Sequence, residues 1–151
     1  PSGRCQCSEA AVHAYQSRIS GPMLDRIDIV VEVTSVQYED LRTRAEGEPS
    51  SAIKQRVDDA RSIQNQRFGV SSGMCNARMG PGEMRLYCAL DDEAEALMKL
   101  AFESMGLTAR SYDRIIRVAR TVADLDGSPE IQAQHIAEAI QYRSVQIGSR
   151  W

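Results

Sequence analysis

Residues 108–125 read Thr-Ala-Arg-Ser-Tyr-Asp-Arg-Ile-Ile-Arg-Val-Ala-Arg-Thr-Val-Ala-Asp-Leu, and their period decides the fold class. Tyr112, Ile115, Ile116, Ala119, Val122 and Ala123 recur at helical spacing, so the segment folds as an amphipathic helix with one apolar face. Thr108 is placed to cap its N-terminus. Arg110, Arg114 and Arg117 stand at i, i+4 and i+7, within an arc of roughly 60° at about 100° per residue. Two environments suit such a row of guanidiniums. One is a phosphate, which the positive N-terminal end of the helix also attracts. The other is water, with Asp113 pairing to Arg117 at i+4. Spacing alone favours the second.

The helical period extends on both sides. A short helix is expected near 83–88, a longer one over 92–105 ended by Gly106, and a last one over 131–142 after the break Gly127-Ser128-Pro129. Together these make a compact antiparallel bundle. Upstream, Ser50 or Ser51 is expected to cap a long helix running to Phe68, with Ile53, Val57, Ala60 and Ile63 on one face and Gly69 at its end. A polar hinge covers 42–50, and a loose stretch, 71–82, carries Cys75-Asn76-Ala77-Arg78-Met79.

Nearer the N-terminus, Ser8 caps a helix over Glu9–Tyr15, Gly21-Pro22 breaks the pattern, and Met23–Arg26 allow one more turn. Ile27-Asp-Ile-Val-Val-Glu-Val33 is β-branched, partly alternating and short, so a strand is expected there. A lone strand leaves its backbone groups unpaired, and its partners are expected in sequence not present here. The opening at Pro1, with no initiating Met, fits a piece of a longer chain. Arg26 lies directly before this strand between Asp25 and Asp28, either as a surface ion pair or as an arginine held by neighbouring carboxylates for use elsewhere.

Composition narrows the chemistry. A chain of 151 residues and 16.7 kDa holds one domain or two small subdomains. Leu, Ile, Val and Phe make up only about a fifth of it, but a net charge of −3 is too small for disorder. Every cation but Lys54 and Lys99 is arginine, while a pI near 5.4 argues against a uniformly basic nucleic-acid-coating surface. No apolar run reaches the roughly 20 residues of a membrane helix, nor does a basic-then-apolar leader appear, so a soluble cytoplasmic protein with no membrane partner is expected. His13 and His135 have no nucleophile partner at a recognisable spacing, and His135 reads as a packed side chain. Met79, Met84, Met98 and Met105 read as core fillers. Cys5-x-Cys7 supplies two thiolates where a structural zinc takes four, so reduced thiols are the plainer reading. Neither lysine follows a glycine, and the P-loop is missing. The chain alone is not expected to hydrolyse a nucleotide.

In combination, several stretches resemble the magnesium-chelatase-like AAA+ ATPases of the ComM/YifB type. They are Cys5-x-Cys7, Arg18-Ile-Ser-Gly-Pro-Met-Leu-Asp-Arg-Ile-Asp28, Cys75-Asn-Ala-Arg-Met79, Leu107 through Leu125, and His135-Ile-Ala-Glu-Ala-Ile-Gln-Tyr-Arg143. The resemblance covers roughly residues 4 to 144. It implies a mainly α fold, a helical lid bundle preceded by a one-strand fragment of the α/β core. The implied division is 1–41 for the end of the core, 42–82 for a linker with an inserted helix at 51–68, 83–144 for the lid and 145–151 for a tail.

The resemblance also implies roles. Arg26 matches the arginine finger and Arg110 matches sensor 2, with Arg114 and Arg117 beside it as nucleotide contacts. The inserted helix implies that sensor 2 acts on an adjacent subunit's nucleotide. Cys5 and Cys7 match half of a four-thiolate zinc site whose other half is absent here, as are the P-loop, the magnesium-binding acid and sensor 1. The implied whole is a hexameric ring using ATP and Mg2+ to remodel DNA. A metal-insertion motor on the same core and an autonomous helical interaction module are the alternatives.

Overall fold

A computed structural model describes residues 6–33, 36, 38, 42 and 47–144. Its elements are helices α1 (Glu9–Gln16), α2 (Gly21–Leu24), α3 (Ser50–Phe68), α4 (Pro81–Tyr87), α5 (Asp92–Met105), α6 (Ala109–Leu125) and α7 (Ala133–Ser144), with 3-10 turns at Val70–Ser72 and Asn76–Arg78. Cys5, residues 43–46 of the hinge and the tail 145–151 lie outside the described residues.

Local signals fix the helix ends. Ser8 accepts from the Ala11 N–H, Asp91 from that of Ala94 and Thr108 from that of Ser111, each satisfying a donor that a helix start leaves open. Gly106 closes α5 at φ 60°, ψ 42°, a left-handed conformation that costs glycine little. At α3 the cap differs from the expectation. Ser50 is already helical and Pro49 occupies the capping position without a side-chain bond.

The core lies where α7 meets α6 and α5. Met79, Met98, Ile115, Ile116, Ile131 and Ile136 fill it, and Ala94, Ala119, Ala123 and Ala139 let the helices approach closely. An isolated parallel bridge, Leu90 to Ile131, ties the loops that precede α5 and α7. Met105, expected inside, is 38% exposed. Helix α3 packs on α6 with Ala60 and Gln64 buried, while Ile53 and Val57 stay exposed. The apolar period of α3 thus overstated its contact, because a period marks a face and not how far the partner helix reaches.

The strand expected at 27–33 does not form. Among the described residues no neighbour offers a ladder; Val30 donates its N–H to the Tyr142 carbonyl at 2.9 Å, and Ile29, Val31 and Val33 remain exposed. Strand propensity measures fit to a paired, half-buried surface, and this segment has the residues without the pairing.

Candidate phosphate-contacting site

The N-terminus of α6 carries a compact polar cluster. Thr108 Oγ1 accepts from the Ser111 N–H at 3.1 Å, and the Ser111 hydroxyl, buried with its residue, donates to Asp25 Oδ1 at 2.9 Å. Thr108 adds a longer bond to Asp25 Oδ2 at 3.4 Å. A carboxylate at this end also suits the helix dipole. Asp25 is therefore committed to α6, and Asp28 pairs with Arg114. Both acids flanking Arg26 are taken up by the bundle and do not neutralise it.

Arg26 is exposed and, among the described residues, donates only within its own turn, to the Pro22 carbonyl at 2.8 Å. Arg110, in the first turn of α6, is also exposed, and among the described residues no acid pairs with it. Asp25 precedes Arg26 and Ser111 follows Arg110, so the two arginines are chain neighbours of one direct contact. Their two segments, more than 80 residues apart in sequence, are held together at that point.

Arg114 and Arg117 are placed differently. Arg114 spends its charge on Asp28, and its Nε is buried without a partner. Arg117 donates from Nε to the Met79 carbonyl at 3.1 Å and lies 4.0 Å from Asp113, the i+4 pairing expected of a plain helix face. Of the row of three, only Arg110 remains open.

A second cluster, inside the bundle, escaped the sequence reading. Asp124 accepts from Arg67 at 2.6 and 2.9 Å, from Arg120 Nε at 3.1 Å and from Asn76 Nδ2 at 2.7 Å. Arg120 also caps the loop after α6, donating to the carbonyls of Ser128 at 2.6 Å and Pro129 at 2.9 Å. Burial alone would push the Asp124 carboxyl up. The hydrogen bonds from Arg67 and Asn76 and the charges of Arg120 and Arg67 outweigh that, and it lies below its ordinary value. Arg67 stacks over Phe68 and Tyr87, whose rings meet edge-on at 5.6 Å. The available signal was Arg120 with Asp124 at i+4 within the apolar arc of Ile116, Ala119 and Ala123.

His135 is buried, as expected of a packed side chain. Nδ1 accepts the Gln132 N–H at 3.0 Å, which leaves Nε2 toward Asp126 at 3.3 Å. Cys7 is exposed, Cys88 is buried, and no group of three or more His, Cys, Asp or Glu among the described residues gathers as a metal site. Cys5-x-Cys7 brings two of the four ligands that a structural zinc site requires. Among the described residues no helix is long and apolar enough to cross a membrane.

Residues 47–143 match the family model described as magnesium chelatase, subunit ChlI C-terminal, and residues 1–41 match that of magnesium chelatase, subunit ChlI. The chain belongs to the magnesium chelatase subunit ChlI family. Among relatives of this ChlI-family chain, the competence protein ComM of Haemophilus influenzae is 35% identical over 91% of the chain and 26% of its own length. The uncharacterized protein YifB of Escherichia coli is 36% identical over 93% of the chain and 27% of its own. An uncharacterized protein of Mycobacterium bovis is 31% identical over 97% and 28%. The chain thus spans about a quarter of the length of the curated relatives it matches.

Proposed function

We propose that this chain is the lid-bearing part of an AAA+ ATPase of the ComM type that couples ATP hydrolysis to DNA remodelling. Arg26 is its arginine finger and Arg110 its sensor 2. The supporting observation is the release of both guanidiniums: the acids beside Arg26 are turned onto α6 and α7, and Arg110 is open at a helix N-terminus. In this reading residues 1–41 close the α/β core, 42–82 form a linker with the inserted helix, and 83–144 form the lid.

Phosphoryl transfer asks the protein for position and charge more than for covalent chemistry. A planar guanidinium meets two phosphate oxygens at once, and the N-terminal dipole of α6 reinforces Arg110. In a hexamer both arginines reach the γ-phosphate held by the adjacent subunit, so hydrolysis depends on subunit arrangement. ATP and Mg2+ are bound by the whole protein, whose P-loop and magnesium-binding acid this chain does not contain; the metal supplies charge neutralisation there. Zinc forms no part of the proposal.

Arg26→Ala and Arg110→Ala in the whole protein test it. Each should lower ATP turnover steeply, a finger being worth about 10³ to 10⁵ in rate, and a change within about twofold for both refutes it. The family description keeps a second reading in view, a motor for metal insertion. Stimulation of turnover by DNA supports remodelling, and indifference to DNA supports metal insertion.

A further inference from the structure

Arg143, in the last turn of α7, straddles Arg26. One arm of its fork, Nη1, donates to the Ile27 carbonyl at 2.7 Å, while Nη2 lies 3.7 Å from Asp25 Oδ1 and donates to the Ser111 hydroxyl at 3.2 Å. Asp25 and Ile27 are the residues on either side of Arg26, and Ser111 is the one after Arg110. The Arg143 side chain is 9% exposed, against 30% for Asp25, so this fork sits largely out of water. Just beyond it, the Val30 N–H bonds to the Tyr142 carbonyl, and Arg114 pairs with Asp28. The segment that carries Arg26 is thus held by α6 and α7 at Asp25, Ile27, Asp28 and Val30.

We propose that Arg143 is a positioning residue: it locks the backbone around Arg26 to the first turn of α6, so that Arg26 and Arg110 meet a phosphate as one rigid pair. This rests on the assignment of Arg26 and Arg110 proposed above. Arg26 is a long, exposed side chain whose one bond among the described residues is to its own turn, so its aim depends on where its backbone is fixed. A misplacement of about 1 Å can cost about a hundredfold in rate. Lysine would keep the charge of Arg143 but could not span two acceptors as a planar fork does.

The test uses the whole protein, with ATP turnover followed by release of labelled phosphate. Arg143→Lys should lower kcat about tenfold while the KM for ATP moves by less than about threefold and the melting midpoint stays unchanged. In an Arg26→Ala background the same substitution should add no further loss, because it acts through Arg26. Should Arg143→Lys fold poorly, Asp25→Asn removes one anchor at constant shape. It should lower kcat in the same direction, again without effect once Arg26 is gone. Turnover within about twofold of wild type for both variants, or an undiminished loss on top of Arg26→Ala, overturns the role of Arg143 while leaving the two arginines assigned. If Arg26→Ala itself is silent, the assignment fails first.

Discussion

Asp124 takes both prongs of Arg67, at 2.6 Å and 2.9 Å, across 57 residues of sequence, and so joins α3 to α6 in the interior of the bundle. Its carboxylate is fully buried, and Arg120, with a side chain 1% exposed, depends on it for charge balance. Removing one partner of such a buried set leaves the others uncompensated. Asp124→Ala is therefore expected to cost about 3–5 kcal/mol of stability, read as a lower denaturant midpoint. Lys54→Ala, at the exposed Lys54–Asp58 pair, should leave that midpoint unchanged.

The same carboxylate sets an acid limb. Its value in the fold lies below the ordinary 3.8, so the unfolded chain takes up the proton first as pH falls. The stabilisation from Asp124 is then complete above about pH 5 and drains away through about pH 4 and below. Denaturation midpoints measured between pH 6 and pH 3 should show this fall. It should be shallower in Asp124→Asn, which is less stable at neutral pH but has no proton to gain there.

Burial pushes the Cys88 thiol up to about 11. At pH 8 only about one molecule in a thousand carries the reactive thiolate at that position. Brief treatment of the folded protein with iodoacetamide should modify the exposed Cys7 and spare Cys88, as peptide mapping would show. In denaturant both should react.

Arg114 and Arg117 are bound within the chain, to Asp28 and to the Met79 carbonyl, and among the described residues nothing binds Arg110. Truncating them is expected to affect folding more than turnover. In the whole protein, Arg114→Ala and Arg117→Ala should each lower kcat at least tenfold less than Arg110→Ala does. Equal losses for all three would restore a shared phosphate-binding row.

Much of the bundle was legible because its signals are local. Gly106 ends α5 at Met105 as expected, Asp91 caps its start, and Thr108 begins α6. What escaped depends on distant chain. The β-branched run at 27–33 satisfies strand propensity, but pairing is tertiary, and the bundle meets its backbone at Val30 and, through the Arg143 side chain, at Ile27, with no ladder among the described residues. Ile53 and Val57 keep a helical period but stay 44% and 46% exposed. For the candidate site, the assignment of Arg26 and Arg110 comes from resemblance to the family, not from spacing. Arg143 lies 116 residues from the carbonyl it holds, and no spacing rule links them. Arg120 and Asp124 look like an ordinary i+4 surface pair until their face is seen to be buried.

The central claim is that Arg26 and Arg110 of one subunit serve the same nucleotide, and mixing inactive variants tests it most directly. Rings assembled from equal amounts of Arg26→Ala and Arg110→Ala subunits contain no interface where one subunit donates both arginines. Turnover should therefore stay at the level of the separate variants. If sensor 2 served its own subunit's nucleotide, about a quarter of the interfaces in a random ring would be complete, and recovery toward that fraction of wild-type turnover would contradict the account.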